Sequence, residues 1–179
     1  LVDRIAAASV GAVRLPGLEL KAGVPSALRT VVAVPVLITD SDDLRAQIDG
    51  LEVHHLSGTG GDMTFVLLTD GLDAPTEQMP GDAALLALAG AEIAALNQRH
   101  APGPAGPRFL HLHRARRYNA AEGVWMGWER KRGKLHEFNR LLRGAQDTGF
   151  VTADGQVPWV PADVRYVITL DADTRMPRD

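Results

Sequence analysis

The feature that most constrains this chain is Val31-Val32-Ala33-Val34-Pro35-Val36-Leu37-Ile38, a continuous apolar run rich in β-branched residues. A run that is apolar at every position, instead of every second one, belongs to a strand covered on both faces, and such strands are characteristically parallel. Parallel strands need crossover connections, usually helices. Pro35 has no N–H to give to a ladder, so the strand is expected either to end there or to lose a pairing on one edge.

The rest of the chain supplies the partners. Asp40-Ser41-Asp42-Asp43 offers an N-cap and an acidic first turn for a helix that carries Leu44, Ile48 and Leu51 on one face. Gly58 to Asp62 turns into a second strand, Met63-Thr64-Phe65-Val66-Leu67-Leu68. Pro80-Gly81-Asp82 opens an alanine-rich helix through Leu96, and Pro102, Pro104 and Pro107 break it. Phe109–His113 reads as a third strand. A helix is expected from about Lys134 to Arg143, with Leu135, Phe138, Leu141 and Leu142 at helical spacing and Gly144 closing it. Residues 150–163, with Asp154-Gly155 between valine-containing arms, read as a hairpin or surface excursion. A fourth strand, Arg165–Leu170, runs into Asp171-Ala172-Asp173. The predicted fold class is therefore α/β, a mostly parallel sheet with flanking helices over residues 30–179, after an irregular lead-in at 1–29.

Composition narrows the function classes. A chain of 179 residues allows about one domain, and 45% apolar with 23% charged residues excludes a disordered tail, a collagen-like fibre or a coiled coil. The longest nearly apolar stretch, Ala83 to Leu96, is interrupted by Glu92 and falls short of the roughly 18 residues of a membrane span. The N-terminal residues carry no long apolar core of the secretory type. With no cysteine there are neither disulfides nor thiolate metal sites. The net charge of −3 hides an asymmetry: Arg108 to Arg143 hold ten Lys/Arg against three Asp/Glu, a local +7. Such a run is either a solvated basic face or a wall for a polyanion such as a diphosphate. No base-reading motif accompanies it, so nucleic acid is not the expected partner.

Parallel sheets bind ligands at the carboxyl ends of their strands. The polar residues there are Thr39 and Asp40, Thr69 and Asp70, Arg114, and Asp171 with Asp173. Alternation points Asp171 and Asp173 the same way, and a pair of like carboxylates suits a hard divalent ion. His111 and His113 share a strand face without an evident third ligand, which favours a structural role. His54 and His55 read as a helix end. Trp125 and Trp128 read either as packing or as sugar-stacking rings.

Two segments add specificity: Trp125-Met126-Gly127-Trp128-Glu129-Arg130-Lys131-Arg132-Gly133-Lys134-Leu135, continuing through Asn139, and Tyr166 to Arg175 with its Asp171-Ala172-Asp173. Together they resemble inverting glycosyltransferases of the GT-A (Rossmann-like) fold. More narrowly, they and Leu18–Leu20, Leu51–Leu56 and Asp73–Glu77 resemble the glycosyltransferase domain of bacterial cyclic β-1,2-glucan synthases, from about residue 15 onward. The resemblance implies the donor-binding half of that domain. It implies a UDP-glucose donor and a growing β-1,2-glucan acceptor. Mg²⁺ or Mn²⁺ is expected on Asp171 and Asp173, with donor contacts from Pro35, Asp70, Arg132, Lys134 and Asp171. Phe138 stands where leucine is usual, and Thr69 stands at the first position of the usual Asp-Asp-Gly, whose acidic residue faces uracil. A solvated helix start is the competing reading for Lys134. The general base of an inverting transfer is expected beyond Asp179, so no catalytic residue is expected within the chain, which reads as a piece of a multi-domain membrane protein acting on the cytoplasmic side of the inner membrane.

Two rival functions share these features. A haloacid-dehalogenase-like phosphatase also uses a strand ending in Asp-x-Asp, but wants Thr or Val where Arg175 stands and normally opens its domain with that strand. A non-catalytic anion-binding module would use the 108–143 basic face.

Overall fold

The computed structural model describes residues 20–58, 60–152, 156–172 and 174. Residues 1–19 of the lead-in, the Asp154-Gly155 turn, Asp173 and Arg175 lie outside the described residues. Seven strands are described: β1 (Thr30–Ile38), β2 (Met63–Gly71), β3 (Phe109–Arg114), β4 (Arg117–Asn119), β5 (Val124–Met126), β6 (Phe150–Val151) and β7 (Tyr166–Thr169). The helices are α1 (Ser41–Ser57), α2 (Asp82–Arg99) and α3 (Arg130–Leu142).

The main sheet has the order β6-β3-β2-β1-β7. The four strands β3, β2, β1 and β7 are mutually parallel, and β6 joins the edge antiparallel. The predicted parallel α/β fold is thus the observed one. Alternation along β1 explains the two cores. Val32, Val34, Val36 and Ile38 face α1 and α2, where Leu44, Ile48, Leu51, Ile93 and Leu96 meet Phe65 and Phe109. Val31 and Ala33 face α3, where Phe138 and Leu141 meet Val66, Leu68, Leu112 and Phe150. Each such Val, Leu, Ile or Phe side chain, fully buried, contributes about 1.5–3 kcal/mol.

Pro35 behaves as expected of an edge-pairing loss. β1 runs straight through it, but the ladder with β7 stops at Ala33↔Thr169, while the ladder with β2 continues to Ile38↔Gly71. The Ala33 carbonyl accepts from Leu170 N–H, so the β7 side is also the side on which Pro35 lacks a donor. Asp40 caps α1 by accepting from the backbone N–H groups of Asp42 and Asp43, each at 2.9 Å. Gly144 lies just past α3 at φ 88°, a left-handed closure that glycine adopts without a Cβ penalty.

Two details differ from expectation and one agrees. α3 begins at Arg130, four residues before Lys134. β4 and β5 form a separate antiparallel hairpin that no turn signal had announced. The stretch after β6 does fold back, with Thr152 N–H donating to the Gln156 carbonyl at 3.1 Å.

Candidate functional site at the strand ends

The carboxyl ends of β1, β2 and β3 carry the residues expected there, and the structure sorts them into a buried layer and an exposed one. The buried layer is a four-charge network. Arg114, at the end of β3, donates from Nε to Asp70 Oδ1 at 2.8 Å and from Nη2 to Asp70 Oδ2 at 2.9 Å. Its Nη1 reaches Glu137 Oε1 at 3.3 Å, and Lys134 Nζ lies 3.1 Å from Asp70 Oδ2. All four residues are 5% exposed or less. Two cations and two carboxylates balance, which is the condition for keeping charge inside a protein.

Lys134 is therefore no solvated helix start, and that reading is corrected. Its ammonium sits under the sheet ends, donating to the carbonyls of Val36 and Leu68 and paired with Asp70, so all three donors have protein acceptors. Burial pushes it below the ordinary lysine range, and the Asp70 carboxylate opposes that shift. Asp70 gives both oxygens to Arg114 and Lys134. Pro35 is buried in β1. Lys134, Asp70 and Pro35 thus form the floor of the strand-end region.

Arg114 also shapes the exposed layer. It donates to the Trp128 carbonyl and the Arg130 carbonyl, both at 2.9 Å. These bonds hold Glu129 and Arg130 in the left-handed region, at φ 52° and 48°, where non-glycine residues are strained. No side chain caps this helix start. The tether aims three successive cations at carboxylates: Arg130 at Asp73 (2.9 Å) and Glu122 (3.0 Å), Lys131 at Asp171, and Arg132 at Glu129 (2.6 Å). Asp171 and Arg132 are exposed. The acidic strand end and the basic helix start, expected to share a site, touch through Lys131 and Asp171.

A cavity of about 580 Å³ lies at the ends of β1 and β2, within the size range of small-molecule sites, and Asp73 in its lining is the partner of Arg130 at the α3 start. Thr39, Asp40, Gly71, Asp73 and Arg116 are among its lining residues. The Asp43 backbone N–H chiefly holds the Asp40 carboxyl below the usual range. Arg116 is buried and bonds the Leu72 carbonyl at 2.6 Å, fixing the loop after β2.

The histidines have structural surroundings. Thr69 Oγ1 lies 2.8 Å from His111 Nε2 and 2.9 Å from His113 Nδ1. Burial lowers both imidazoles to about 4. His54 and His55 occupy the last turn of α1, as expected. Among the described residues, no group of three or more His, Cys, Asp or Glu could hold a metal ion. No described helix is long and apolar enough to cross a membrane.

Sequence reasoning missed Glu137 and the buried role of Arg114. A signal for Glu137 exists: Lys134, Glu137, Phe138 and Leu141 follow the i, i+3, i+4, i+7 pattern of a buried stripe, so two charges stand on the apolar face of α3.

No family model matches the chain. It is 49% identical over 166 residues to the cyclic beta-(1,2)-glucan synthase NdvB of Rhizobium meliloti (strain 1021), a match that covers 93% of this chain and 6% of that protein. The likeness first carried by Trp125–Leu135 and Leu170–Arg175 thus extends over nearly the whole chain, which aligns with one segment of that synthase and spans only a small part of its length.

Proposed function

We propose that the chain is the donor-binding part of an inverting glycosyltransferase that takes glucose from UDP-glucose into β-1,2-glucan. The observation that carries this reading is the contact between Lys131 and Asp171, which joins the basic start of α3 to the acidic end of β7. A nucleoside diphosphate needs both: cations for its phosphates, and a carboxylate pair for the divalent ion that accompanies them. The likeness to a glucan synthase supports the same chemistry.

The residues fit a hard cation in donor type. Asp171 is an exposed carboxylate at a strand end, and Asp173 would be its companion. As no described cluster of three ligands surrounds it, phosphate oxygens and water would complete the sphere. Mg²⁺ or Mn²⁺ held there would neutralise the charge that develops on departing UDP. Lys131 and Arg132 would face the diphosphate. Lys134, Asp70 and Pro35 would act from beneath, keeping the strand ends and the α3 start in place. The general base would come from another part of a multi-domain membrane protein, with this segment on the cytoplasmic side.

Calorimetry with UDP, in the presence and absence of Mn²⁺, tests the reading on this chain. Metal-dependent binding that is lost in Asp171→Asn is expected. Binding of equal strength without metal overturns the assignment of the acidic pair. In a synthase carrying this segment, UDP-glucose should yield UDP and β-linked glucan. Inorganic phosphate released from phosphomonoesters, without glucan, would favour the phosphatase reading instead.

A further inference from the structure

A second cleft, of about 470 Å³, lies between the β4–β5 hairpin and the first turn of α3. Its lining includes two large aromatic residues left open to solvent, Tyr118 at 57% exposure and Trp128 at 44%. Around them stand Arg117, Asn119, Glu122 and Arg130. We infer that this cleft is a carbohydrate subsite that takes a neutral gluco-oligosaccharide, the glucan chain itself on the reading proposed above.

Three observations carry the inference. The first is ring chemistry. The C–H faces of a pyranose are apolar while its edges carry hydroxyls, so a sugar site needs exposed flat rings bordered by planar polar groups. Here the Asn119 amide donates to Glu122 Oε1 at 3.1 Å, and Arg130 donates to Glu122 Oε2 at 3.0 Å. This links an amide, a carboxylate and a guanidinium into one hydrogen-bonding border.

The second is charge. Arg117 and Arg130 are matched in the lining by Glu122 and Glu129. A site for phosphate would keep its cations in excess; a balanced border suits an uncharged polyhydroxy ligand.

The third is preorganisation. The hairpin is fixed to the body by reciprocal backbone bonds between Ala74 and Trp125, at 2.9 and 2.8 Å. Trp125 in turn packs against Tyr118, with ring centroids 5.8 Å apart. Trp128 is held through its carbonyl by buried Arg114, beside the strained Glu129–Arg130 step. Rings carried on backbone that is already fixed are available to a ligand without further ordering.

The test titrates this chain with sophorose, the β-1,2-linked glucose disaccharide, while following the Trp128 indole N–H by NMR. Saturable movement of that resonance is expected, weaker with free glucose, and severalfold weaker affinity in Tyr118→Ala and Glu122→Gln at an unchanged melting temperature. No movement up to about 10 mM sophorose, a range that captures binding weaker than −4 kcal/mol, overturns the subsite. So does unchanged affinity in both variants. UDP binding is measured on the same samples. Sugar binding lost while UDP binding persists removes the subsite and leaves the donor reading standing, and the converse removes only the donor reading.

Discussion

Lys134 Nζ lies 3.1 Å from Asp70 Oδ2, with side chains 3% and 5% exposed, and the pair bridges α3 to the end of β2. Asp70 is also gripped at both oxygens by Arg114, so one carboxylate faces two buried cations. Removing its charge leaves the network at +1 in a buried region where all four residues are 5% exposed or less. Asp70→Asn should therefore cost about 3–5 kcal/mol in urea unfolding. Lys134→Met alone leaves Asp70 paired with Arg114 and should cost less. The double variant restores neutrality, so its loss should fall short of the sum of the singles by at least about 1 kcal/mol. Strict additivity would mean that the two residues do not share one electrostatic unit.

Glycines pack against this network, and two substitutions separate close approach from helix propensity. A Cβ on Gly127 would stand 2.6 Å from Asp70 Cγ and 2.9 Å from Arg114 Nη2. Gly127→Ala should cost about 1–3 kcal/mol, because the buried pair cannot move aside without losing its geometry. Gly50, inside α1, meets nothing within 4 Å. There alanine should raise stability by about 0.5–1 kcal/mol. Thermal unfolding of the two variants checks both signs.

How the site is built explains which parts of it were legible. The β1 run, the Asp40 cap and the Gly144 closure are written in neighbouring residues, and local chemistry decides them. The start of α3 is not. Glu129-Arg130-Lys131-Arg132 offers no capping residue, and the helix begins there because Arg114, 14 and 16 residues earlier, holds the Trp128 and Arg130 carbonyls. Asp70 and Arg114 were each placed at a strand end from the sequence, but their pairing spans 44 positions and depends on the β2–β3 register, Asp70↔Arg114. The β4–β5 hairpin has strands of only three residues, too short for alternation to register. Asp173 lies outside the described residues, so the acidic pair is seen through Asp171 alone.

Acid should weaken the fold through His111 and His113. Burial holds both near 4, against 6.5 for a free imidazole, so the folded protein binds fewer protons than the unfolded chain between those values. Stability from these groups is full above about pH 6.5 and is lost as pH falls toward 4. A drop from 6.5 to about 4 corresponds to roughly 3 kcal/mol per imidazole across that window. Asp70, Asp82, Arg116 and Lys134 also act on His113, so the two steps need not be equal. His111→Gln keeps a polar partner for Thr69 without titrating, and should flatten the pH–stability slope over this range. An unchanged slope would assign acid sensitivity to the carboxylates instead.

Lys131 and Asp171 form an exposed ion pair, 52% and 59% accessible, and surface pairs of this kind add no more than about 1 kcal/mol to stability. Neutralising either should leave the melting temperature almost unmoved, and this separates their part in folding from their part in binding. Asp171→Asn keeps the shape of the side chain but removes the charge that suits a hard cation, so metal-dependent UDP binding should disappear. In a synthase carrying the segment, transfer should fall by several orders of magnitude, because charge on the departing diphosphate would go unneutralised. Lys131→Ala should act more mildly, weakening UDP binding by the equivalent of about 1.5–3 kcal/mol, the range of a hydrogen bond to a charged group. That loss should shrink as salt is raised, since exposed charges are screened within about 10 Å at 0.1 M. If both variants bind UDP as the parent chain does, the Lys131–Asp171 contact is a surface ion pair and nothing more, and the donor site must be sought elsewhere along the strand ends.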